Sequence, residues 1–393
     1  MNSLHKAITD RIDSLADTLL EVSHAIHARP ELAFEEFHAC ELLSRTLKDH
    51  DLPTQTGVFT LDTAFEAGLN AESLGPTVAL LAEYDALPGI GHACGHNLIA
   101  TAALGATLGL QAVQEQLPGR VRLIGTPAEE KGGGKELMAR AGAFEAVDAA
   151  MMIHPAGLNL ATMPCICVAE VEVIYHGRSA HASVSPHRGI NALDGLLLAY
   201  QSISNLRQHI RDGERIHGII TEGGQAPNIV PERAVGDFYV RAADETALAN
   251  LKPRVQACFE AGAKGSGCKV EINWAKVDYL DLNTNWPLAD VFQKHGECLG
   301  REFLDWEELG GAGSTDMGNV SHRVPAIHPL LAAAPRDVVI HNPEFAKWAG
   351  SAMGDAAALD GAKLLAMTAA DFLTDGELRR ASAEAFHIAK GLA

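Results

Sequence analysis

Two hydrophobic patterns organise the first part of the chain. In residues 3–28 apolar side chains recur at helical spacing, and residues 31–47 continue as a second helix after Pro30. The apolar run 77–81 is typical of a buried strand, whereas the small apolar residues of 96–116 predict a buried helix. The chain therefore begins with helices and then alternates strand with helix.

This alternation continues and indicates where ligands would bind. Further strands are predicted at residues 120–125 and 146–153. The rhythm predicts a mixed, mostly parallel sheet with helices on both faces, and such sheets bind ligands at the carboxyl ends of their strands. The polar residues at or just beyond those ends are Asp85, Cys94, His96, Glu129, Glu130 and His154.

The pattern changes near residue 170. Residues 168–175 alternate apolar and polar side chains, as a strand with one exposed face does. The elements predicted next are a helix at 189–207, strands at 215–221 and 235–241, a helix at 245–261 and a strand at 269–274. This order of strand, helix, two strands, helix and strand predicts a ferredoxin-like α+β domain.

The domain organisation follows from where each pattern stops. The chain has 393 residues, which is too many for one ordinary core. The first pattern resumes near Leu288, so we expect a discontinuous α/β domain of residues 1–172 and 288–393. Residues 173–287 would form the inserted α+β domain.

Composition narrows the functional classes. The chain is 47% hydrophobic and 21% charged, as soluble globular proteins are. A net charge of −19 argues against nucleic acid and weakly favours cationic ligands. There is no apolar run of membrane-spanning length and no signal-peptide core, and the seven cysteines are an odd number. We therefore expect a cytoplasmic protein that binds neither nucleic acid nor a membrane.

The segment 91–97 (GHACGHN) places a cysteine and two histidines within five residues. Cysteine and histidine bind zinc-like ions. Cys94 and His96 are two apart and cannot share a helix face, but they can converge from a loop. Taken alone, the pair also fits a structural loop.

Other candidate donors lie elsewhere in the chain. Glu129 and Glu130 follow a strand, but an acidic pair also suits a solvated helix start; His154 and His341 also suit turns. Together with Cys94 and His96 they exceed the three ligands plus water of one catalytic metal. The economical interpretation is two metal ions that share a ligand, with Glu129 left free to transfer protons.

Motifs along nearly the whole chain resemble those of the aminoacylase/carboxypeptidase family of co-catalytic metallopeptidases, metallopeptidase family twenty. The resemblance is strongest to its amidohydrolase branch, which carries a HACGH motif. The matching segments are 29–32 (RPEL), 84–88 (YDALP), 91–97 (GHACGHN), 127–130 (PAEE), 176–182 (HGRSAHA), 227–231 (PNIVP), 313–316 (GSTD) and 341–345 (HNPEF).

Within that branch, segments 81–85, 91–98 and 324–329 look most like a group of dipeptidases. That group is associated with basic or β-alanyl dipeptides and with cleavage of aminobenzoyl-glutamate. The narrower resemblance rests on fewer residues than the family resemblance does.

The resemblance implies a two-metal site. It implies two divalent ions per subunit, zinc or manganese before cobalt or nickel, with Cys94 as the bridging thiolate. Glu129 would be the general base and acid, and Asp85 would orient a ligand. The implied ligands are Cys94, His96, Glu130, His154 and His341.

It also implies a homodimer, formed through an inserted domain that serves as lid and dimerisation domain. His181 would reach the neighbouring subunit's active site and stabilise the tetrahedral oxyanion. Asn228, Arg241 and Ser314 would contact the substrate, and an arginine suits a carboxylate.

The chain departs from the wider family at two positions. Other branches carry a histidine where this chain has Glu83, and Cys94 with His96 replaces the missing donor. Whether Glu83 faces the metal or lies behind its ligands stays open. Asn97 stands where an aspartate often follows the second histidine.

The function implied is hydrolysis of a peptide, N-acyl or N-aroyl amide bond next to a free carboxylate, by a dipeptidase or aminoacylase. One alternative is a non-catalytic ligand-binding or regulatory protein on this fold, since fold does not fix function. Loss of Glu129 or of a ligand would favour it, but all are present. Another alternative is that the same site hydrolyses a different small, non-peptide amide.

Overall fold

The computed structural model describes residues 2–306 and 313–391. The chain forms two compact units. One, called here the discontinuous unit, comprises Met1–Cys165 and Leu282–Ala393, and the other, the inserted unit, comprises Ile166–Asp281.

The elements are given in chain order. The first segment contains α1 (Ser3–Ser14), α2 (Ala16–Ala28), α3 (Phe37–Asp49), β1 (Thr54–Thr56), β2 (Phe65–Leu69), β3 (Thr77–Glu83), α4 (His96–Gln111), β4 (Arg120–Thr126), α5 (Gly134–Arg140), β5 (Ala149–Met151) and β6 (His154–Ala156). The inserted unit contains β7 (Cys167–His176), α6 (Ala192–Leu206), β8 (Arg215–Glu222), β9 (Arg233–Ala242), α7 (Glu245–Ser266) and β10 (Lys269–Trp274). The last segment contains α8 (Trp286–Cys298), α9 (Met317–Ser321), β11 (Ala326–Ile327), β12 (Leu330–Ala332), α10 (Pro343–Ala349), α11 (Ala352–Thr374) and α12 (Gly376–Ala389).

A six-stranded sheet forms the centre of the discontinuous unit. Its order is β1-β2-β4-β3-β5-β11, and β3 pairs in parallel with both β4 and β5, as β5 does with β11. Strands β1 and β2 add an antiparallel edge. A separate parallel pair joins β12 to β6. The predicted mixed, mostly parallel sheet is thus confirmed.

Strand β3 shows why helices cover both faces of this sheet. All seven of its residues are buried. Val78 and Leu80 belong to the cluster that contains α1, α4 and α11, whereas Ala79 and Leu81 pack with residues of α5 and α9. Because successive side chains of a strand point to opposite faces, a continuous apolar run requires cover on both.

The inserted unit is an antiparallel sheet with helices on one face. Its order is β10-β7-β9-β8, and α6 and α7 share one core with the inward-facing residues of β7 and β9. Strand β7 alternates buried with more exposed residues, which is the pattern expected of a strand with one solvated face. The predicted ferredoxin-like order is confirmed.

The boundaries of the two units differ from those expected. The inserted unit begins at Ile166 rather than residue 173, and ends at Asp281 rather than residue 287. The reason is the pairing of β7, which joins β9 along its whole length from Cys167 onwards. The whole strand therefore belongs to the inserted sheet.

The two N-terminal helical predictions need correction. The helical spacing over residues 3–28 is broken at Leu15, where φ −103° and ψ 4° separate α1 from α2. The second predicted helix starts only at Phe37. Glu31 lies outside it, and its carboxylate accepts the backbone N–H groups of His38 and Ala39 near the helix start. Free N–H groups at a helix start favour such an acceptor.

Two further features are the state of the cysteines and the length and apolarity of the helices. All seven cysteines are free thiols. Among the helices of the described part of the chain, none combines the length and apolar character that a bilayer crossing requires.

One carboxylate links three helices of the discontinuous unit. His5 Nε2 on α1 lies 2.7 Å from Asp371 Oδ1 on α11, and His295 Nε2 on α8 lies 2.8 Å from Asp371 Oδ2. Burial alone would raise the pKa of Asp371, but hydrogen bonds from His295 and His5 outweigh it and lower that pKa to about 2. The carboxylate form is therefore the one that the fold favours.

Replacing Asp371 by Asn should lower the free energy of unfolding by about 1–3 kcal/mol near neutral pH, because two hydrogen bonds to a charged acceptor are weakened. Asp10→Asn is the control, since it removes only the exposed helical ion pair between Lys6 and Asp10, which contributes about 0.5 kcal/mol or less. Urea unfolding measures both. Equal losses in the two variants would contradict this assignment.

Candidate metal centre

The predicted site residues lie at one edge of the central sheet. Glu83 is the last residue of β3 and pairs with Thr126, the last residue of β4. Asp85 follows Glu83 by two residues, and His154 opens β6 shortly after β5. Parallel neighbouring strands end at the same edge, so their polar residues are delivered to one place.

Cys94 and His96 converge because of the glycine between them. Gly95 has φ +73°, which glycine adopts without the strain that a side chain introduces. A Cβ at this position would also lie 3.0 Å from Pro155 Cγ and 3.3 Å from Phe345 Cε1. The chain thus turns sharply just before α4, and the donors on both sides of the turn face the same region.

The structure brings all five predicted ligands together. The donor atoms of Cys94, His96 and His154 lie within 4.8 Å of one another, and so do those of Cys94, Glu130 and His341. Cys94 belongs to both groups. A third group within the same limit contains Glu83, His96 and Glu129. Glu83, whose role the sequence left open, therefore faces the same donors.

Asp85 links two of these donors. Its Oδ1 lies 3.1 Å from His96 Nδ1, and its Oδ2 accepts the backbone N–H of Glu130 at 2.9 Å. With Nδ1 engaged, His96 keeps Nε2 for a ligand, which is how carboxylates orient metal-binding histidines.

The other two histidines differ in burial. His154 is buried, and its Nδ1 lies 2.8 Å from the carbonyl oxygen of Pro155. Burial and the charge of His96 lower the pKa of His154 to about 4, so it stays a neutral donor. His341 is exposed and has φ +60°. Its backbone N–H donates to the carbonyl oxygen of Ala93 at 3.0 Å, and its ring Nε2 lies 3.7 Å from Glu130 Oε2.

Unpaired buried atoms test whether this cluster fits a metal ion. Among the described residues, Glu83 Oε1, His96 Nε2 and Glu130 Oε1 have no hydrogen-bond partner. His96 Nε2 lies 3.0 Å from Glu83 Oε1 and 3.8 Å from Glu130 Oε1. Buried polar atoms normally have partners, so three orphans around one point fit a cation. Thiolate, imidazole and carboxylate donors suit a borderline divalent ion.

The metal-free cluster is electrostatically strained. Burial raises the pKa of the Cys94 thiol, so a thiolate there requires a nearby cation. Burial and the charges of Glu83 and Glu130 raise the pKa of Glu129 well above its usual range. A carboxyl group with a raised pKa can both accept and donate a proton near neutral pH.

The structure adds a lysine that the sequence analysis missed. Lys135 Nζ donates to Glu83 Oε2 and, at 2.7 Å, to Asp316 Oδ1; its backbone N–H donates to Asp316 Oδ2 at 2.8 Å. All three side chains are fully buried. The sequence feature that could have marked Lys135 is its place in the glycine-rich segment 132–135, shortly after the acidic pair Glu129 and Glu130.

Glu36 is a second missed residue, and nothing in the hydrophobic pattern marks it. Its Oε1 accepts the N–H groups of Phe34 at 3.0 Å and Ala128 at 2.9 Å, and its Oε2 accepts the Thr63 hydroxyl at 2.8 Å. Ala128 has φ +62°, a conformation that non-glycine residues rarely adopt. Glu36 therefore holds the turn that carries Glu129.

The remaining predicted residues lie in both units. In the inserted unit His181 and Asn228 are exposed on adjoining loops, joined by the Ala182 N–H donating to Asn228 O at 3.0 Å. Arg241 lies on β9, with its guanidinium 5.9 Å from the centre of the Tyr239 ring. Ser314 is half-buried in the discontinuous unit. Their roles stay predictions.

Comparisons with known proteins find a matching family model and similar sequences. The family model described as Peptidase family M20/M25/M40 matches residues 79–369. The Xaa-Arg dipeptidase of Mus musculus is 41% identical over 384 residues, which cover 94% of this chain and 89% of that protein. A p-aminobenzoyl-glutamate hydrolase subunit of Escherichia coli (strain K12) is 34% identical over 310 residues, 72% of this chain and 63% of that protein.

Among solved structures, the fold resembles that of the Bacillus subtilis YXEP protein, called a dinuclear metal binding peptidase from the M20 family. The TM-score is 0.66 at 21% identity, and the match covers 90% of this chain and 98% of that one. At this identity the likeness establishes the shared fold.

Glu36→Gln should alter the pH dependence of stability. Burial and the charge of Asp85 raise the pKa of Glu36 from 4.5 to about 7. As pH rises between these values, the unfolded state loses its proton first, so stability falls. The glutamine side chain of the variant keeps an acceptor for both N–H groups and has no such titration. The stability of the variant relative to wild type should therefore rise by about 1–3 kcal/mol between pH 5 and pH 8.

Urea unfolding of the metal-free protein across this pH range measures the effect. Glu35→Gln is the matched control, since Glu35 is an exposed neighbour. Its stability difference from wild type should stay flat with pH. Parallel pH profiles for wild type and Glu36→Gln would contradict the prediction.

Proposed function

This chain belongs to peptidase family M20/M25/M40 and is a metal-dependent hydrolase, and from that premise we propose that it is a two-metal dipeptidase acting on dipeptides with a basic C-terminal residue. One observation carries the proposal. The five donors converge in two groups that share Cys94, around buried atoms that lack hydrogen-bond partners within the described part of the chain.

The sharing of Cys94 supports two ions rather than one. His96 and His154 would complete one ligand set and Glu130 and His341 the other, with Cys94 in both. Zinc or manganese suits these donors, and cobalt or nickel is also compatible. When bound, two such ions supply Lewis acidity that makes water acidic enough to deprotonate near neutral pH and polarises the scissile carbonyl.

The chain's own residues would move the proton and hold the geometry. Glu129 would take a proton from the attacking water and return it to the leaving amine, for which its raised pKa is suited. Asp85 would keep His96 and the backbone of Glu130 in place. Glu36 would hold the turn beneath Glu129.

The substrate class draws support from a relative and from charge. The mouse relative is named an Xaa-Arg dipeptidase. The net charge of −19 weakly favours a cationic substrate. Asn228, Arg241 and Ser314 would contact the substrate's carboxylate and backbone, for which a guanidinium is well shaped.

A second candidate is hydrolysis of an N-aroyl amino acid. The Escherichia coli relative, named a p-aminobenzoyl-glutamate hydrolase subunit, favours it. Both candidate reactions cleave an amide bond next to a free carboxylate. The retention of Glu129 and of all five donors argues against a non-catalytic binding protein.

The protein would act as a homodimer through the inserted unit. Strand β8 is an edge strand, and it exposes Ile219 by 63% and Ile220 by 38%. Leu197 and Leu198 on α6 are each 46% exposed. Exposed apolar residues near an unpaired edge favour association. His181 would then reach the partner's site. The free cysteines and the acidic charge support a cytoplasmic protein that does not bind nucleic acid.

A substrate panel and Glu129→Gln together test the proposed function. With zinc or manganese bound, kcat/KM for Ala-Arg should exceed that for Ala-Glu at least about tenfold, and Glu129→Gln should keep both metal equivalents but lose turnover by about 10²-fold or more. Mass spectrometry follows both dipeptides, p-aminobenzoyl-glutamate and N-acetylcysteine. Glu145→Gln, at an exposed carboxylate, is the control.

Preference for p-aminobenzoyl-glutamate would select the second candidate. Metal-loaded protein that hydrolyses none of these compounds would favour a binding role. Full activity in Glu129→Gln would remove its role in proton transfer.

His181→Ala should lower kcat by about 10²–10³-fold with metal content unchanged, because an oxyanion donor acts mainly in the transition state. Mixing it with Glu129→Gln should restore about a quarter of wild-type activity. Random pairing in a two-fold dimer makes half of the dimers mixed, each with one intact site. If native mass spectrometry shows mixed dimers and no activity returns, His181 does not serve the partner's site.

A further inference from the structure

Lys135 is a fully buried cation beside the candidate metal centre. Its ammonium group binds one oxygen of Glu83 and one of Asp316, and none of the three side chains is exposed. Stability alone does not explain such a cluster, because apolar residues of similar volume are often at least as stabilising as a buried ion pair. A buried charge cluster at a strand end therefore points to another role.

The ion pair of Lys135 and Asp316, called here the clamp, engages only one carboxylate oxygen of Glu83. Lys135 takes Oε2, whereas Oε1 has no hydrogen-bond partner in the described part of the chain and lies 3.0 Å from His96 Nε2. Asp85 engages the Nδ1 side of His96, so Nε2 is the ring nitrogen that faces Glu83 Oε1. The two atoms need a positive charge between or beside them, which is a proton on the ring in the metal-free protein and would be a divalent ion in its place when metal is bound.

The spacing of these two atoms is close to that of shared coordination. Nitrogen and oxygen ligands lie about 2.0–2.2 Å from a zinc ion, so two ligands of one tetrahedral ion are about 3.3–3.6 Å apart. The 3.0 Å between Glu83 Oε1 and His96 Nε2 is slightly shorter, so a small outward shift of either side chain lets both bind one ion. The donor atoms of Glu83, His96 and Glu129 also lie within 4.8 Å of one another.

We propose that Glu83 is an additional carboxylate ligand of the divalent ion on the His96 side, and that Lys135 and Asp316 are positioning residues that direct its Oε1 to that ion. The proposal rests on the proposed function, since it requires the metal centre. With Oε2 held by Lys135, Glu83 can offer a single oxygen to the ion.

The rigidity of the clamp supports the positioning role. Lys135 is the second residue of α5, and its backbone N–H also binds Asp316, which precedes α9. The starts of two helices therefore fix Asp316 and the base of the Lys135 side chain. Among these buried groups, Lys135 is also the counter-charge that lets Glu83 stay ionised next to Glu129 and Asp316.

Zinc binding to the full-length metal-free protein tests this proposal without measuring activity. Competition with a chromophoric chelator gives the number of equivalents and their affinities. Wild type should bind two equivalents. Glu83→Gln should weaken one of them about 10–100-fold and spare the other, and Lys135→Met should weaken the same one to a similar extent. Because Lys135 acts through Glu83, the double variant should lose no more than Glu83→Gln alone.

Conservative variants and spectroscopy separate positioning from general damage. Lys135→Arg keeps the charge and should recover part of the lost affinity. In the cobalt-loaded protein Glu83→Gln should shift the visible bands of one ion and retain the thiolate charge-transfer band of Cys94. If Lys135→Met does not fold, the double variant Lys135→Met, Asp316→Asn takes its place, because it removes one charge of each sign. This double variant should weaken the same zinc equivalent.

Wild-type zinc affinities and unchanged cobalt bands in folded Glu83→Gln would overturn the proposal, as would additive losses in the Glu83→Gln, Lys135→Met double variant. These results would leave the proposed function intact provided that wild type binds two equivalents. A wild-type protein that binds no zinc or manganese would instead contradict the proposed function itself.

Discussion

The whole site depends on one carboxylate, Asp85, which uses both of its oxygens. One holds the ring of His96 at the start of α4, and the other holds the backbone of Glu130 after β4. Asp85 itself follows β3, the central buried strand. The sheet thus fixes the position of Asp85, and Asp85 fixes two candidate metal donors that come from separate parts of the chain.

The second constraint is charge. Glu83, Glu129 and Asp316 are buried close together, and Lys135 is the buried cation that pairs with two of them. Buried carboxylates repel one another and lose hydration, so the cluster needs further positive charge. A pair of divalent ions would supply that charge at the point where buried donors lack partners. The same electrostatic need therefore explains both the unpaired atoms and the raised pKa of Glu129.

Much of the fold could be predicted because it follows from local pattern. The continuous apolar run of β3 requires cover on both faces, and the alternation in β7 requires cover on one, so both domain types could be predicted from periodicity. The break at Leu15 was not predicted, because the apolar spacing continues across it. The unit boundary was placed inside β7 because periodicity shows that a strand exists and does not show its partner.

The residues of the candidate site also divide into those that the sequence could predict and those that it could not. The five donors could be proposed from motif and strand-end position, and the structure gathers them. Lys135 and Glu36 could not, because their roles depend on partners far away in sequence: Lys135 is 52 residues from Glu83 and 181 from Asp316, and Glu36 is 92 from Ala128. Only the folded chain brings these together. The catalytic and substrate-binding roles of individual residues stay predictions.

Anomalous diffraction at the zinc edge, from crystals of the zinc-loaded protein, tests directly whether Cys94 bridges two ions. We expect two peaks about 3.5–4 Å apart at the carboxyl edge of the central sheet, with Cys94 Sγ within about 2.3–2.5 Å of both. A single peak, or two peaks of which only one or neither contacts Cys94, would contradict a two-metal centre bridged by this thiolate.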